Sequence, residues 1–438
     1  MRSLWMLVVA ALPLAAGDAI LLRNATVHPV TGPDIANGSV LIENGKIAEV
    51  GARAAAKGAK VVDLKGLHVY PGMIDSATEL GVSEISSLRE TDDTRELGMF
   101  NPQLRASIAV NPSSEHIPAT RVNGITTAMV FPDIGGGRGF ASLFRSNEEP
   151  RFILGQSALM DLDGWTWEEM ELVRSAAMVF SLPATPPDLS RFAAMLGIER
   201  PQPTFAERKR QKELQFRRIS EFLEQARAYA RAKAANVPGL KTDLKMEAMI
   251  PVVEGKLPVI TIAAREKDIR EAVEFADKEK LKLVLAEVRE PGKMTEVLAK
   301  KGIPVILGPT LALPMDEDDR YDQQFILPSE LFKAGVKVAF GSFGNQFARN
   351  LPYQAAQAVA FGLSQADALK AVTINAAEIW GVQDRIGSIE KGKLANLVVT
   401  DGDPLETRTQ IKHLLIRGKE VSLETKHTRL YEKYLNRP

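Results

Sequence analysis

Residues 257–307 read LPVITIAAREKDIREAVEFADKEKLKLVLAEVREPGKMTEVLAKKGIPVIL, an alternation of short apolar runs with longer amphipathic segments. The apolar runs are residues 257–262, 281–285 and 303–307, and the amphipathic segments are residues 267–278 and 291–300. Short apolar runs are typical of strands buried on both faces, and strands separated by helices pair in parallel. This segment therefore predicts two consecutive β–α–β units of a parallel sheet.

The alternation of apolar runs with amphipathic segments continues through the middle of the chain, where residues 124–130 and 336–340 are further apolar runs. A chain of 438 residues is long enough for a (β/α)₈ barrel, which takes roughly 250 residues, and a small second domain. We therefore predict an α/β protein in which residues 71–384 form a (β/α)₈ TIM barrel.

The two ends of the chain are rich in short β-type runs instead. Asn44-Gly45 lies between two such runs and predicts a two-residue hairpin turn. Residues 385–425, near the carboxyl terminus, are also rich in short β-type runs. We expect residues 18–70 and 385–425 to form one small β-sandwich domain, with residues 426–438 as a tail.

Residues 204–236 form a charged segment with helical spacing and few core positions. Its candidate core residues are Phe205, Leu214, Phe216, Ile219, Phe222 and Leu223. We interpret it as a helical insertion in the barrel, either a cover or partner-binding face or a surface helix without a special role.

Residues 1–17 have the pattern of a signal peptide. Arg2 precedes an apolar run over residues 4–14, and Ala15-Ala16-Gly17 offers a small-residue cleavage site. The run is too short to span a membrane comfortably. A hydrophobic amino-terminal strand is the alternative to a signal peptide. The pattern predicts a secreted or periplasmic protein with no membrane span after signal removal.

Composition excludes several classes of function. The chain has no cysteine, which excludes disulfides and thiol catalysis. Lys and Arg number 55 and Asp and Glu number 55, so the net charge is zero. A neutral chain lacks the basic surface that nucleic acids or acidic membranes attract, and we expect neither as a partner.

Several motifs resemble those of one known superfamily. They are Val69-Tyr70-Pro71-Gly72-Met73-Ile74-Asp75, Gly341-Ser342, Asn350-Leu351-Pro352, and the long stretches at residues 368–378, 385–399 and 401–405. Together they resemble the metal-dependent amidohydrolase superfamily, and most closely its imidazolonepropionase-like members. Residues 163–168, DGWTWE, are similar to a motif of secreted bacterial homologues. The resemblance implies a barrel fold and hydrolysis of C–N bonds other than peptide bonds.

The resemblance also implies where metal ligands belong, at the carboxyl ends of barrel strands. The first strand usually carries His-x-His, and here these positions are Ala77 and Glu79. The histidine of the fifth strand is replaced by Ile262, and that of the sixth by Glu287. The carboxylate that follows Gly-Ser in the eighth strand is replaced by Phe343. The metal site of the family is therefore expected to be degenerate.

The histidine count leads to the same expectation without any alignment. The five histidines are His28, His68, His116, His413 and His427. Four of them lie in the terminal β segments or the tail, and His116 is expected in a loop or at a helix start. A zinc site with two or three imidazoles cannot be assembled from these positions. We expect no metal and no other cofactor.

Three functional hypotheses follow. The first is a non-catalytic amidohydrolase homologue that binds a small-molecule ligand and forms a homo-oligomer or pairs with an active relative. The second is an active hydrolase of a cyclic amide or peptide-like C–N bond, with Asp75, Glu79 and Glu287 as an acid–base pair or a rebuilt divalent-metal site. The third is an envelope-associated interaction module that uses residues 204–235 as its contact helix. The residues expected to line a pocket are Trp165, Trp167, Gly341 and Ser342.

Overall fold

The computed structural model describes residues 19–54, 58–85, 88–133, 149–183, 204–314 and 319–437. Two eight-stranded sheets and the helices around them make up this part of the chain. The predicted signal peptide, residues 1–17, lies outside the described residues. Within the described part, no helix combines the length and the apolar character that crossing a membrane requires.

The first sheet, here called the small sheet, is built from both ends of the chain. Its strands are β1 (Ile20–Val27), β2 (Ile35–Glu43), β3 (Lys46–Gly51), β4 (Lys60–Asp63), β5 (His68–Pro71), β14 (Leu397–Thr400), β15 (Ile411–Ile416) and β16 (Lys419–Glu420). Strands β5 and β14 pair antiparallel and join the two ends. The order is β16-β15-β14-β5-β1-β2-β3, with β4 beside β1. The strands form one continuous sheet, not the two separate sheets of the expected β-sandwich.

The predicted hairpin turn of the small sheet is confirmed. Glu43 pairs with Lys46 across it, and both turn residues have positive φ, 52° for Asn44 and 76° for Gly45. A two-residue turn of this kind needs left-handed backbone at both positions, which asparagine and glycine tolerate best. The turn chemistry therefore fixes the register of β2 against β3.

The second sheet, here called the large sheet, contains the alternating middle of the chain. Its strands, in spatial and chain order, are β6 (Met73–Thr78), β7 (Ile125–Val130), β8 (Ile153–Asp161), β9 (Glu171–Phe180), β10 (Val259–Ile262), β11 (Leu283–Ala286), β12 (Val305–Leu307) and β13 (Val338–Phe340). Strands β9 to β13 pair in parallel, as do β6 and β7. The three strands predicted within residues 257–307 are confirmed as β10, β11 and β12.

Strand β8 departs from the uniform parallel direction that a (β/α)₈ barrel has. It pairs antiparallel with both β7 and β9. Residues 162–170 connect β8 to β9 and contain one short helix, α3 (Trp167–Met170). A parallel pair needs a crossover of a dozen or more residues, whereas this connection suits a hairpin.

The first and last strands of the large sheet meet. The backbone N–H of Phe343, just past β13, donates to the carbonyl oxygen of Ala77 in β6 at 2.8 Å. The backbone N–H of Ser342 donates to Oδ1 of Asp75 at 2.9 Å. These bonds bring the outer edges of β6 and β13 into direct contact.

The remaining helices of the described residues surround the large sheet or follow the small one. They are α1 (Ala106–Ala109), α2 (His116–Arg121), α4 (Phe205–Ala234), α5 (Leu244–Val253), α6 (Glu266–Glu279), α7 (Met294–Lys301), α8 (Gln323–Lys333), α9 (Leu351–Ala360), α10 (Gln365–Ala371), α11 (Ile374–Ile379) and α12 (Lys426–Leu435). The helices predicted at residues 267–278 and 291–300 are confirmed as α6 and α7. Burial of Ile269, Ala272 and Val273 holds α6 against the core.

Helix α4 is the charged segment predicted from its spacing. Thr204 caps its first turn, and Glu207 completes a reciprocal capping box. One face is buried through Ile219, Phe222, Leu223 and Ala226, whereas Phe205 and Leu214 are exposed. The ring of Phe222 stacks on that of Phe100 with 4.3 Å between centroids. The helix thus packs firmly along one side and presents its charged side to solvent.

Candidate functional site

The parallel strands of the large sheet end along one edge, here called the mouth. Glu79 follows β6, Asp133 lies beyond β7, Ile262 ends β10, Glu287 follows β11, and Phe343 lies beyond β13. Because the carboxyl ends of parallel strands share one edge, residues distant in sequence gather there. The five positions that the sequence marked as former metal ligands, Ala77, Glu79, Ile262, Glu287 and Phe343, all belong to strands that end at the mouth.

Contacts at two glycines show how tightly the mouth is filled. A Cβ atom at residue 341 would lie 2.8 Å from Cβ of Ala77 and 3.0 Å from Cε2 of Phe343, so no side chain fits there. A Cβ atom at residue 308 would lie 3.4 Å from Cγ of Glu287 and 3.7 Å from Cδ2 of Phe343. The ring of Phe343 therefore lies near both Ala77 and Glu287.

Three of the five positions carry apolar side chains that belong to one core cluster. Ala77 is fully buried and Ile262 is 7% exposed. Phe343 is partly buried and packs against the same cluster. These side chains have no lone pairs to offer a metal ion or a reacting group. They contribute apolar packing at the mouth.

Glu79 lies in an electrostatic environment that favours its protonated form. Burial is the main cause, and the negative charges of Asp133, Asp92 and Glu287 act in the same direction, while Arg95 opposes them. Together these effects raise the pKa of Glu79 to about 7. The carboxyl group of Glu79 is therefore close to half protonated at neutral pH.

Asp75 connects β6 to β13 from a wholly buried position. Its Oδ1 atom accepts hydrogen bonds from the backbone N–H groups of Ser342 at 2.9 Å and Ala77 at 3.3 Å. Burial raises its pKa to about 7, although the bonds from Ser342 and Ala77 oppose the rise. Asp75 is 0% exposed, and the hydrogen bond from Ser342 links β6 to the residues that follow β13. Its place among the candidate catalytic carboxylates stays a prediction.

The structure adds charged residues that the sequence did not indicate. Asp133 forms ion pairs with Arg95, at 3.3 Å, and with Arg151. These residues come from separate segments, so only their meeting in space reveals the cluster. The position of Asp133 shortly after β7 is the one signal that could have indicated it.

Three residues at the mouth have left-handed backbone although none is glycine. Their φ angles are +34° for Asp133, +51° for Glu287 and +53° for Phe343. Such backbone costs free energy for a residue with a side chain, and it persists where the surroundings impose it. The backbone at these three positions is therefore constrained by the structure around the mouth.

The residues predicted to line one pocket are separated in space. Gly341 and Ser342 are buried beside β6 at the mouth. Trp165 and Trp167 follow β8, and the reversed direction of that strand brings them to the opposite edge of the large sheet. Trp165 is 92% exposed, whereas Trp167 is partly buried against the main core.

The histidines do not gather at the mouth. His116 was expected in a loop or at a helix start, and it is the first residue of α2. Its Nε2 atom lies 3.0 Å from the carbonyl oxygen of Glu84. His28 and His68 face each other across the small sheet at 2.9 Å between Nε2 and Nδ1. Within the described ranges, no three or more His, Asp or Glu side chains are grouped so that they could hold a metal ion.

Comparisons with known proteins cover most of the chain. The model of the amidohydrolase family matches residues 69–421. The amidohydrolase tasK of Hapsidospora irregularis is 25% identical over 428 aligned residues, which cover 89% of this chain and 42% of that protein. The chain thus spans less than half the length of this relative.

Solved structures agree with this similarity. An amidohydrolase from Thermotoga maritima MSB8 superposes with a TM-score of 0.76 at 28% identity, covering 92% of this chain and 99% of that chain. A prolidase complexed with N-methylphosphonate-L-proline gives a TM-score of 0.54 at 17% identity, covering 92% of this chain and 99% of that chain. The second likeness bears on the fold alone.

Proposed function

The chain belongs to the amidohydrolase family, and we propose that it is a member without the family's metal centre, acting as a non-catalytic ligand-binding or partner subunit. The observation that carries this proposal is the packing of Phe343, Ile262 and Ala77 at the mouth. All three stand at positions where the resemblance expects ligands, and all three belong to or pack against one apolar cluster. Their side chains do not fit a metal ion.

The remaining donors at the mouth do not compensate for these replacements. Glu79 and Glu287 supply carboxylates from two strands, but Asp133 is ion-paired with Arg95 and Arg151. Asp75 is buried with Oδ1 bound to backbone N–H groups. A hydrolytic zinc ion in proteins has three protein ligands and an open position for water. The residues at the mouth therefore do not fit a hydrolytic metal ion.

We further propose that the large sheet closes into a barrel of the (β/α)₈ type with one reversed strand. The support is the direct hydrogen bond between Phe343 and Ala77, which joins the first strand region to the last. Closure would place Glu79, Glu287 and the ring of Phe343 around one opening. That opening is where we expect a small-molecule ligand.

Metal analysis tests the main proposal. The purified full chain is stripped with a chelator, reloaded separately with Zn²⁺, Mn²⁺ or Fe²⁺, freed of excess metal and measured by plasma mass spectrometry. The double variant Glu79→Gln/Glu287→Gln serves as the matched control. We expect no stoichiometric metal in either protein. Stoichiometric metal in the parent chain that disappears in the variant would contradict the proposal.

A second function is favoured by one observation, the raised pKa of Glu79 beside Glu287. A carboxyl group that titrates near neutral pH can give and take protons, which is what general acid–base catalysis requires. In this alternative the chain hydrolyses a cyclic amide or a peptide-like C–N bond with carboxylates alone or with a rebuilt carboxylate–metal site.

Hydrolysis of a panel of cyclic amides and dipeptides distinguishes the two functions. The variants Glu79→Gln and Glu287→Gln are compared with Glu296→Gln, which changes an exposed carboxylate of α7. The main proposal expects no turnover by any of these proteins. Turnover that both mouth variants abolish and the control retains would establish the alternative in its place.

We also propose that the chain is exported, on the strength of the signal-peptide pattern at residues 1–17. Cell fractionation followed by amino-terminal sequencing tests export. A mature protein that begins near residue 18 in the periplasm or medium is expected, and a cytosolic protein that retains residues 1–17 would contradict it. Light scattering of the same mature protein tests whether it forms a homo-oligomer, one of the two assemblies in the first hypothesis.

A further inference from the structure

Three parts of the chain bring titratable side chains together in the small sheet. His28 and Asp34 are the first and last residues of the segment that connects β1 to β2, here called the 28–34 loop. His68 and Tyr70 belong to β5, and Asp403 lies in the segment that follows β14. The side chain of His28 interacts with all the others and is 14% exposed. Its contacts are therefore shielded from most of the solvent.

Both ring nitrogens of His28 have a partner. Nδ1 of His28 lies 2.9 Å from Oδ2 of Asp34, and Nε2 lies 2.9 Å from Nδ1 of His68. A carboxylate can only accept, so the proton of the neutral His28 ring belongs on Nδ1, and Nε2 is left as an acceptor. Nδ1 of His68 then donates to Nε2 of His28. The two contacts thus select one tautomer for each ring.

The pair of rings accommodates one additional proton but not two. A first proton can bind Nε2 of His68, which takes no part in the contact with His28, and Asp34 supplies a balancing negative charge. A second proton can bind only Nε2 of His28, whose lone pair already accepts the bond from His68. Two N–H groups of two positive rings would then face each other at 2.9 Å between the nitrogens. Double protonation therefore breaks the bond between the rings.

The groups around His28 act on its pKa in opposite directions. Burial has the largest effect and lowers the pKa below 6.5, as does the charge of His68, whereas Asp34 and Asp403 raise it. The ring of Tyr70 stacks on that of His28 with 4.1 Å between centroids, and burial together with Asp403 and Asp34 raises the pKa of Tyr70, which stays neutral. The stability linked to the neutral His28 ring is complete above pH 6.5 and is lost as the pH falls below it.

The 28–34 loop has a backbone conformation that its surroundings impose. Val30 has a φ angle of +74°, a left-handed conformation that is rare for a β-branched residue. Its side chain packs against the apolar cluster that contains Ala77 and Ile262. The contact between His28 and Asp34 ties the first residue of the loop to the last. Loss of the bond from His68 therefore removes a restraint from a loop that is under strain.

We propose that His28 and His68 form an acid-sensitive latch on the 28–34 loop. The latch is closed while at least one ring of the pair is neutral, and it opens when both rings are protonated. Opening separates the loop from β5 and allows Val30 to leave its left-handed conformation. The proposal does not depend on the function proposed for the mouth, because all the groups of the latch belong to the small sheet and its connections.

Hydrogen exchange of the purified full chain at pH 7.5 and pH 4.5, corrected for the intrinsic effect of pH, tests the latch. The reporters are the backbone N–H groups of Thr26 and His28, which donate to the carbonyl oxygens of Leu67 and Val69 at 2.9 Å each. Strand β10 of the large sheet is the internal reference. We expect the protection of the reporters to fall at pH 4.5 by about tenfold or more beyond any fall in β10. A fall no greater than that in β10 would overturn the proposal.

The variant His68→Gln separates the histidine pair from other effects of acid. Glutamine can still donate to Nε2 of His28 but cannot gain a proton, so the reporters should lose less than about threefold in protection at pH 4.5. His413→Gln is the matched control, because it removes another imidazole of the small sheet, one that faces the carboxylate of Glu420 at 2.7 Å instead of a second ring. The control should behave as the parent does. Equal losses in the parent and His68→Gln would refute the latch.

Nitrogen-15 spectra of the histidine-labelled parent test the pairing without any variant of the latch. The chain has five histidines, so few ring signals need assignment. At pH 7.5 we expect the proton of the His28 ring on Nδ1, beside Asp34, and a proton on Nδ1 of His68. A His28 ring with its proton on Nε2 would contradict the pairing and overturn the proposal.

Discussion

Replacing Glu79 with glutamine should stabilise the folded protein at pH 8 and leave its stability nearly unchanged at pH 4. The pKa of Glu79 rises from its ordinary 4.5 to about 7 in the folded protein, chiefly through burial. A folded state with a raised carboxyl pKa holds its proton more tightly than the unfolded chain does. The stability linked to that proton is complete below pH 4.5 and is lost as the pH rises through about 7.

The magnitude follows from the difference between the two pKa values. At about 1.4 kcal/mol per pH unit, the ionised Glu79 costs the fold about 3 kcal/mol at pH 8 as an upper limit. Glu79 is partly exposed, so solvent screening reduces this to about 2 kcal/mol. Glutamine has nearly the same shape and no charge to desolvate, and it therefore avoids the cost.

Urea unfolding of the parent and Glu79→Gln proteins, followed by circular dichroism at pH 4, 6 and 8, measures this difference. The transition midpoint of the variant should exceed that of the parent at pH 8, by less at pH 6, and not at pH 4. Glu296→Gln on the exposed face of α7 is the control and should show no such trend. A variant that is equally or less stable than the parent at pH 8 would refute the electrostatic account of the mouth.

Three further substitutions test packing and buried charge by urea unfolding. Phe343→Ala removes a ring that packs against the apolar cluster near Ala77 and Glu287 and should cost about 2–3 kcal/mol. A loss below about 0.5 kcal/mol would show that the ring does not stabilise the mouth. Arg417→Met leaves Asp161 buried without its ion pair and should cost about 2–3 kcal/mol, with recovery in Arg417→Met/Asp161→Asn, which removes the charge and keeps an acceptor for Thr127 and Asn396. Equal losses in both variants would argue against an uncompensated charge as the cause. Phe222→Ala should cost about 3 kcal/mol because the ring packs against Phe100. Phe205→Ala should cost little because Phe205 is exposed. Similar losses at both positions would contradict the packing of α4.

Local sequence patterns were sufficient for the strands and helices of residues 257–307. Apolar runs and helical spacing are local features, and β10, α6, β11, α7 and β12 follow them closely. The direction of β8 was less accessible, because it depends on the length of the connection to β9 and on pairing across the sheet. The small sheet is likewise continuous because β5 and β14 pair over a long sequence separation.

The mouth was predictable only in part, for a similar reason. Strand-end positions placed Ala77, Ile262 and Phe343 correctly along one edge. The cluster of Asp133 with Arg95 and Arg151 depends on contacts between separate segments, and no local pattern encodes it. The burial of Asp75 also arises from the meeting of β6 with β13. The domain limits at residues 70, 384 and 425 stay predictions.

A crystal structure of the mature chain grown with excess zinc, with anomalous diffraction recorded at the zinc edge, tests the central claim most directly. The account predicts no anomalous peak at the mouth and the ring of Phe343 packed between Ala77 and Glu287. A zinc ion coordinated by Glu79 and Glu287, with the ring of Phe343 turned away, would contradict it.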